Sequence, residues 1–228
     1  MLTRAFWLLI IPLMPMQLGS QETDRNKPAV IKTGEHEYRL GKIELNAKSR
    51  EIRFPVLVNM REGGPIEYFL VHETGKVHES ILVTPVSAFD LQVALKLLKY
   101  ESGKGDLFNR MLPPHLVEEE GGTAAERGAS VSFRFVPEMG EPIPAESTLI
   151  DGFEGKPLAE GEWIYTGSMI YEGSFMAGVE GSIIAIYLDP VAMFNSLAEG
   201  ADNDERWGAN SELVPEVGTR GHLIIRTH

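Results

Sequence analysis

The sequence predicts a strand-rich α+β fold in a single domain. Short apolar–polar alternations bounded by Gly, Pro, Asn and Asp recur along most of the chain, the pattern of half-buried strands. Only Ser87–Lys99 carries a full set of helix signals, so helix is the minor component. The hydrophobic fraction of 43% suffices for an ordinary core, and with no cysteine that core must provide the stability that disulfides would otherwise add.

Taken from the start, residues 1–20 (MLTRAFWLLIIPLMPMQLGS) have the layout of a secretory signal peptide. Arg4 is the positive n-region, an apolar run of about a dozen residues follows, and Leu18-Gly19-Ser20 supplies small residues before polar chain. A membrane anchor needs roughly 20 apolar residues, and Pro12 and Pro15 interrupt this run. Residues 21–34 read as a polar linker, and the domain itself as 35–228. Gly41–Asn46 and Glu51–Asn59 are strands joined by a polar turn. Ile66–Glu73 and Lys76–Thr84 read as a hairpin, with Gly75 available for the positive φ of its turn.

Ser87-Ala88-Phe89-Asp90 then forms a capping box, flanked by Val86 and Leu91 as a hydrophobic staple. Leu91, Ala94, Leu95 and Leu98 fall on one face, which predicts a helix over 87–99. Residues 101–128 hold Pro113-Pro114, Glu118-Glu119-Glu120 and Gly121-Gly122 with little periodicity, and read as a mobile insertion or a lid. Ser130–Val136, Glu162–Thr166, Ser168–Tyr171 and Ser182–Leu188 are further strands. Asp189-Pro190 predicts a short helix over 190–197, with the aspartate as N-cap and proline where its missing N–H costs nothing. His222–Thr227 closes the chain as a strand.

Charge narrows the partners. The net charge of −12 repels phosphate backbones and anionic headgroups, which disfavours nucleic acid and bare membrane. After the first segment no apolar run is long enough to span a bilayer, so no stable membrane insertion is expected once a signal is removed. Thiolate nucleophiles, iron–sulfur clusters and cysteine-type zinc sites are excluded together, and no cofactor is indicated.

The one stretch that invites chemistry is Lys76-Val77-His78-Glu79-Ser80, where a cation, an imidazole, a carboxylate and a hydroxyl are contiguous. These residues are the candidate binding site: His78, Glu79, Ser80 and Lys76. On a regular strand His78 and Ser80 share one face and Glu79 takes the other, so the triplet is not by itself a catalytic unit. His72 approaches His78 across a hairpin only if the turn has three residues, and no third metal ligand can be named. Asp202-Asn203-Asp204-Glu205 departs from a calcium loop because Arg206 and Trp207 follow. Gly167-Ser168-Met169 lacks the frame of a nucleophile elbow, and Trp163 and Tyr165 are core positions by default.

Several stretches resemble the YdjY-domain family. They are Gly75–Thr84 leading into Asp90–Leu95, Gly167-Ser168, Glu180–Tyr187 with Asp189-Pro190, and Pro215–Thr219. The resemblance implies an intact bacterial domain that often carries an export signal, and it transfers no catalytic residue. Some such proteins are linked by name to ferredoxin-type proteins, yet this chain has no cysteine to hold a cluster. The expectation is therefore an exported, periplasmic or extracellular, binding or interaction module whose partner is an envelope ligand or protein. The rival is an extracytoplasmic hydrolase or metal-assisted enzyme using His78 and Glu79.

Overall fold

A computed structural model of the chain describes residues 29–111, 127–161 and 163–227. Three short strands come first: β1 (Val30–Lys32), β2 (Glu37–Leu40) and β3 (Ile43–Asn46). In β4 (Glu51–Val58), Ile52, Phe54, Val56 and Val58 are buried while Glu51, Arg53, Pro55 and Leu57 stay partly exposed, the period-2 alternation of a half-buried strand. β5 (Tyr68–His72), β6 (Ser80–Thr84) and helix α1 (Ala88–Leu97) follow. Beyond the insertion come β7 (Ser130–Pro137), β8 (Ile143–Pro144), β9 (Leu149–Asp151) and β10 (Trp163–Tyr165). The hairpin β11 (Ile170–Tyr171) and β12 (Ser174–Phe175) leads into α2 (Met176–Glu180). The last elements are β13 (Ser182–Ala185), β14 (Phe194–Ser196), β15 (Trp207–Ala209) and β16 (Arg220–Thr227).

Eight strands close on themselves in the order β4–β16–β7–β10–β14–β13–β5–β6, with β6 pairing back onto β4. Pairing around the ring is antiparallel except at β13–β14 and β5–β6. β1, β2 and β3 extend from β4 as an outlying antiparallel sheet. The architecture is a mostly β barrel, which corrects the α+β expectation: among the described residues α-helix is confined to α1 and the five residues of α2. Local patterning names strands without saying which ones pair, and closure depends on that pairing alone.

The core explains why the ring can close. An eight-stranded barrel has an interior just wide enough for side chains to fill. Phe69 on β5 and Phe133 on β7 belong to strands on opposite sides of the ring, yet their ring centroids lie 6.4 Å apart. Trp163 and Phe194 meet Phe133 edge-on at 5.5 and 5.2 Å, the arrangement that the quadrupoles of aromatic rings favour. All four are fully buried, so the middle of the barrel is solid.

Helix α1 forms where its signals lie. Ser87 Oγ accepts from the Asp90 amide at 3.1 Å, and Leu91, Ala94 and Leu95 are buried. The expected helix over 190–197 is absent. The Asp189 carboxylate does accept from the Val191 amide at 2.8 Å, but the chain turns and becomes extended. Phe194–Ser196 are drawn into the sheet between β10 and β13, where pairing on both sides outweighs a single good cap.

Two other segments depart from expectation in part. Val30–Lys32, inside the segment read as a linker, form the edge strand β1. The insertion is fastened at both ends: Gly103 N donates to Tyr165 O at 3.1 Å, and Ala129 N to Glu101 O at 2.8 Å. Gly128 sits between them at φ 79°, and a Cβ there would fall 2.4 Å from Tyr165 O, so glycine is required. Residues 112–126 and the expected signal peptide lie outside the described residues.

Candidate functional site

The segment that carries the candidate residues is a crossover. β5 and β6 are parallel neighbours, with Tyr68 opposite Ser80 and His72 opposite Thr84, so Glu73–Glu79 return the chain along the barrel. The expected hairpin, and a strand beginning at Lys76, are therefore corrected. Gly75 N donates back to His72 O at 2.8 Å, which turns the chain toward α2 and away from β5. A Cβ on Gly75 would fall 2.8 Å from Glu180 O, so only glycine lets the crossover lie this close. The Asn59 side chain clamps the far end, donating to Val77 O at 2.7 Å and Ser80 O at 2.8 Å.

Val77–Glu79 form a single 3-10 turn, and the alternation of strand faces does not apply to them. His78 and Glu79 come together as a result, Nε2 lying 3.8 Å from Oε2. The imidazole is 78% exposed, so the contact lies at the surface in high dielectric. Ser80 is fully buried and its hydroxyl donates to Leu82 O at 2.8 Å; it is not poised as a nucleophile. His78, Glu79 and Ser80 thus go to three environments: solvent, a half-buried rim and the core.

Lys76 goes somewhere else. Its Nζ donates to the Tyr68 hydroxyl at 2.7 Å and lies 3.6 Å from Glu180 Oε2. The Tyr68 hydroxyl donates in turn to Asp189 Oδ2 at 2.8 Å, in a buried contact between residues 121 positions apart. Asp189 is held by its own neighbours. Its amide donates to Asn195 Oδ1 at 2.8 Å, and Asn195 Nδ2 donates to Thr166 Oγ1 at 2.9 Å and Asp189 O at 3.0 Å. A half-exposed ammonium, a buried phenol and a buried carboxylate therefore form one directed chain of hydrogen bonds.

The electrostatics keep that chain as it is drawn. Burial first, and the Asp189 carboxylate second, push the Tyr68 phenol well above its ordinary range, so it remains a donor. Glu67, on the same rim, is raised by partial burial and by Glu79, with Lys76 opposing. The Ser182 hydroxyl neighbours the phenol but is buried without a hydrogen-bond partner. The Tyr68 hydroxyl both accepts and donates, so it has no proton left to offer. The chain fixes the crossover and leaves only the Lys76 ammonium for a ligand.

Other sequence candidates are settled by their contacts. His72 Nδ1 lies 2.8 Å from Thr74 Oγ1 and accepts from the Thr74 amide, so it serves its own turn. No group of three metal-ligating side chains is present among the described residues. In the 202–206 loop Arg206 reaches back to Asp151, with Nε and a terminal nitrogen at 2.8 and 2.7 Å, while Asp202 lies 3.6 Å from Arg110. Ser168 Oγ donates to Val191 O and accepts from Ala177 N at 3.1 Å, a structural role. Trp163 and Tyr165 are core residues. Sequence reasoning missed Tyr68 and Asn195, because a lysine and tyrosine eight residues apart carry no signature and Asn195 lies 127 residues beyond Tyr68.

A histidine elsewhere gives a measurable property. His222 on β16 lies with Nδ1 3.3 Å from an Arg53 terminal nitrogen, a contact that needs the neutral ring. Partial burial, then the Arg53 charge, lower its pKa below the usual histidine value; Glu44 and Glu138 oppose. The unfolded chain therefore binds this proton more readily than the native one. The associated stability is present above pH ~6.5, the ordinary histidine value, and is lost as pH falls through the lower native value. Urea midpoints compared at pH 8 and pH 5 should fall more for the parent than for His222→Gln.

No protein-family model, curated protein or solved structure matches the chain.

Proposed function

We propose that this chain is an exported binding module of the bacterial cell envelope, of the kind that its YdjY-like segments suggest. The observation that carries the reading is the contact between Phe69 and Phe133 across the barrel. A lumen filled by side chains takes no substrate, so a partner is met on the outer surface. The polar groups of the crossover support the same reading, since the hydroxyls of Ser80 and Tyr68 are committed to internal hydrogen bonds. No helix among the described residues is long and apolar enough to cross a membrane.

The test has two arms. The full-length chain expressed in a bacterial host should be recovered from the periplasm as a species lacking about its first twenty residues, the usual signal length, by intact mass. It should show no turnover on ester, peptide or glycan panels. His78→Ala should shift the melting temperature by less than about 4 °C, because an exposed charged contact contributes at most about 1 kcal/mol. Turnover by the parent that His78→Ala abolishes at unchanged melting temperature would instead establish the hydrolytic alternative.

A further inference from the structure

Arg53 on β4 stands between two rival partners. One of its terminal nitrogens lies 3.3 Å from His222 Nδ1 on β16, and the other lies 3.8 Å from Glu44 Oε2 on β3. The first contact is a hydrogen bond, whereas the second falls beyond hydrogen-bond reach. Strand register sets up the choice. Glu44 faces Arg53 directly across the β3–β4 pair, and His222 is diagonal to Arg53, since Ile224 stands opposite Arg53 and His222 opposite Pro55. Arg53 Nε is buried without a hydrogen-bond partner, so its terminal nitrogens are what tie the guanidinium to a neighbour.

The two partners belong to different parts of the molecule. β16 is a barrel strand, whereas β3 belongs to the outlying sheet, which is hydrogen-bonded to the barrel through β4. Protonation of His222 decides between them. A guanidinium only donates, so Nδ1 accepts and the ring proton sits on Nε2. A proton added at Nδ1 removes that acceptor and sets two cations 3.3 Å apart. The other charged groups around the imidazole are Arg220 on β16, Arg134 on β7 and Glu138 just beyond it, with Glu44 behind Arg53. The arginines oppose an imidazolium there and the two carboxylates favour it. Of the repelled pair, the arginine has room to move. Its side chain is long and 41% exposed, it lines an open groove of about 370 Å³, and a shift of about 1 Å brings it within hydrogen-bond reach of Glu44.

We propose that His222, Arg53 and Glu44 form an acid-operated clasp, in which protonation of the imidazole transfers Arg53 from His222 to Glu44 and fastens the outlying β1–β3 sheet to the barrel. Near neutral pH the arginine stays within the barrel wall, bonded to β16. Partial burial and the Arg53 charge hold the imidazole below the ordinary histidine value, so the clasp engages below pH ~6.5. The barrel loses the stability associated with the neutral ring in the same step, while the junction of β3 with β4 gains a cross-strand ion pair.

Amide hydrogen exchange of the full-length chain at pH 8 and pH 5, corrected for the intrinsic rate, tests the clasp while NMR of the imidazole follows its protonation. Exchange from β3, taken relative to β7, should slow about two- to fivefold at pH 5, the equivalent of one exposed cross-strand ion pair. Crystal structures at the two pH values should show Arg53 leaving His222 and closing on Glu44 to ~2.8 Å. In His222→Gln and in Glu44→Gln the slowing should vanish, with unchanged circular dichroism. The imidazole of Glu44→Gln should also titrate at lower pH than the parent's, because Glu44 favours the charged ring. Exchange from β3 that keeps its ratio to β7 once His222 is protonated overturns the proposal. So does an imidazole that swings away while Arg53 stays, a ring still neutral at pH 5, or a Glu44→Gln variant that slows as the parent does.

Discussion

Trp163→Ala should leave the protein largely unfolded at 37 °C. Trp163 is fully buried, touches Phe133 edge-on at 5.5 Å and lies 6.4 Å from Phe69, and so joins three strands of the barrel. Truncating a buried tryptophan to alanine costs about 3–5 kcal/mol in lost burial and residual cavity. A second loss adds to it, because Trp163 Nε1 donates to Glu146 Oε1 at 2.9 Å and Glu146 is itself buried. Removing that donor leaves a buried carboxyl group short of a partner, at about 1–3 kcal/mol. The sum is a large part of the ~5–15 kcal/mol that holds a typical domain folded. Trp163→Phe keeps most of the ring contacts and should lose much less. Urea denaturation followed by far-ultraviolet circular dichroism will order the three proteins, and a Trp163→Ala midpoint equal to the parent's would contradict the account of a core-filled barrel.

Tyr68→Phe should lower the stability by about 2–3 kcal/mol, a melting shift of roughly 5–10 °C for a chain of this size. The ring contacts stay; what goes is one oxygen that receives the Lys76 ammonium and donates to Asp189. Asp189 keeps the Val191 amide but loses its other donor in a buried site, and Lys76 keeps only Glu180 at 3.6 Å. Proteolysis of the folded variant should then begin within Glu73–Glu79, because the crossover has lost an internal tether while Asn59 still holds its far end. Lys76→Met should reproduce the local loosening with a smaller stability loss, since Tyr68 and Asp189 remain paired. If Tyr68→Phe melts with the parent, the hydrogen-bonded chain contributes nothing net.

Legibility divided along physical lines. The extended segments at Ile43–Asn46, Glu51–Val58, Tyr68–Val71 and Ser130–Pro137 were marked by alternation or by dense apolar residues, and each is a strand. Misreadings gathered where a local signal met a competing long-range contact. Glu73-Thr74-Gly75 has hairpin composition, yet β13 and β6 occupy the two edges of β5 and the turn packs on Glu180. Of the candidate site, Lys76 was named from its neighbourhood and Asp189 as the cap of a helix. Tyr68 was not named, and the meeting of the three is a property of the closed ring.

The chain's own residues, read in order, determine its strand-rich character, the start of α1 at Ser87, the absence of cysteine chemistry and the acidic balance. Those properties depend on side-chain type and on neighbours within a few positions, which is the range over which capping and periodicity act. Tertiary structure decided the rest: parallel β5 and β6, the strand at Phe194–Ser196 where a cap forecast a helix, and the filled lumen. It also decided that His78 faces water while Lys76 joins Tyr68 and Asp189. These outcomes turn on contacts beyond the reach of local capping and periodicity, the pairing of Tyr68 with Asp189 across 121 positions among them, and their energy exists only once the barrel has closed.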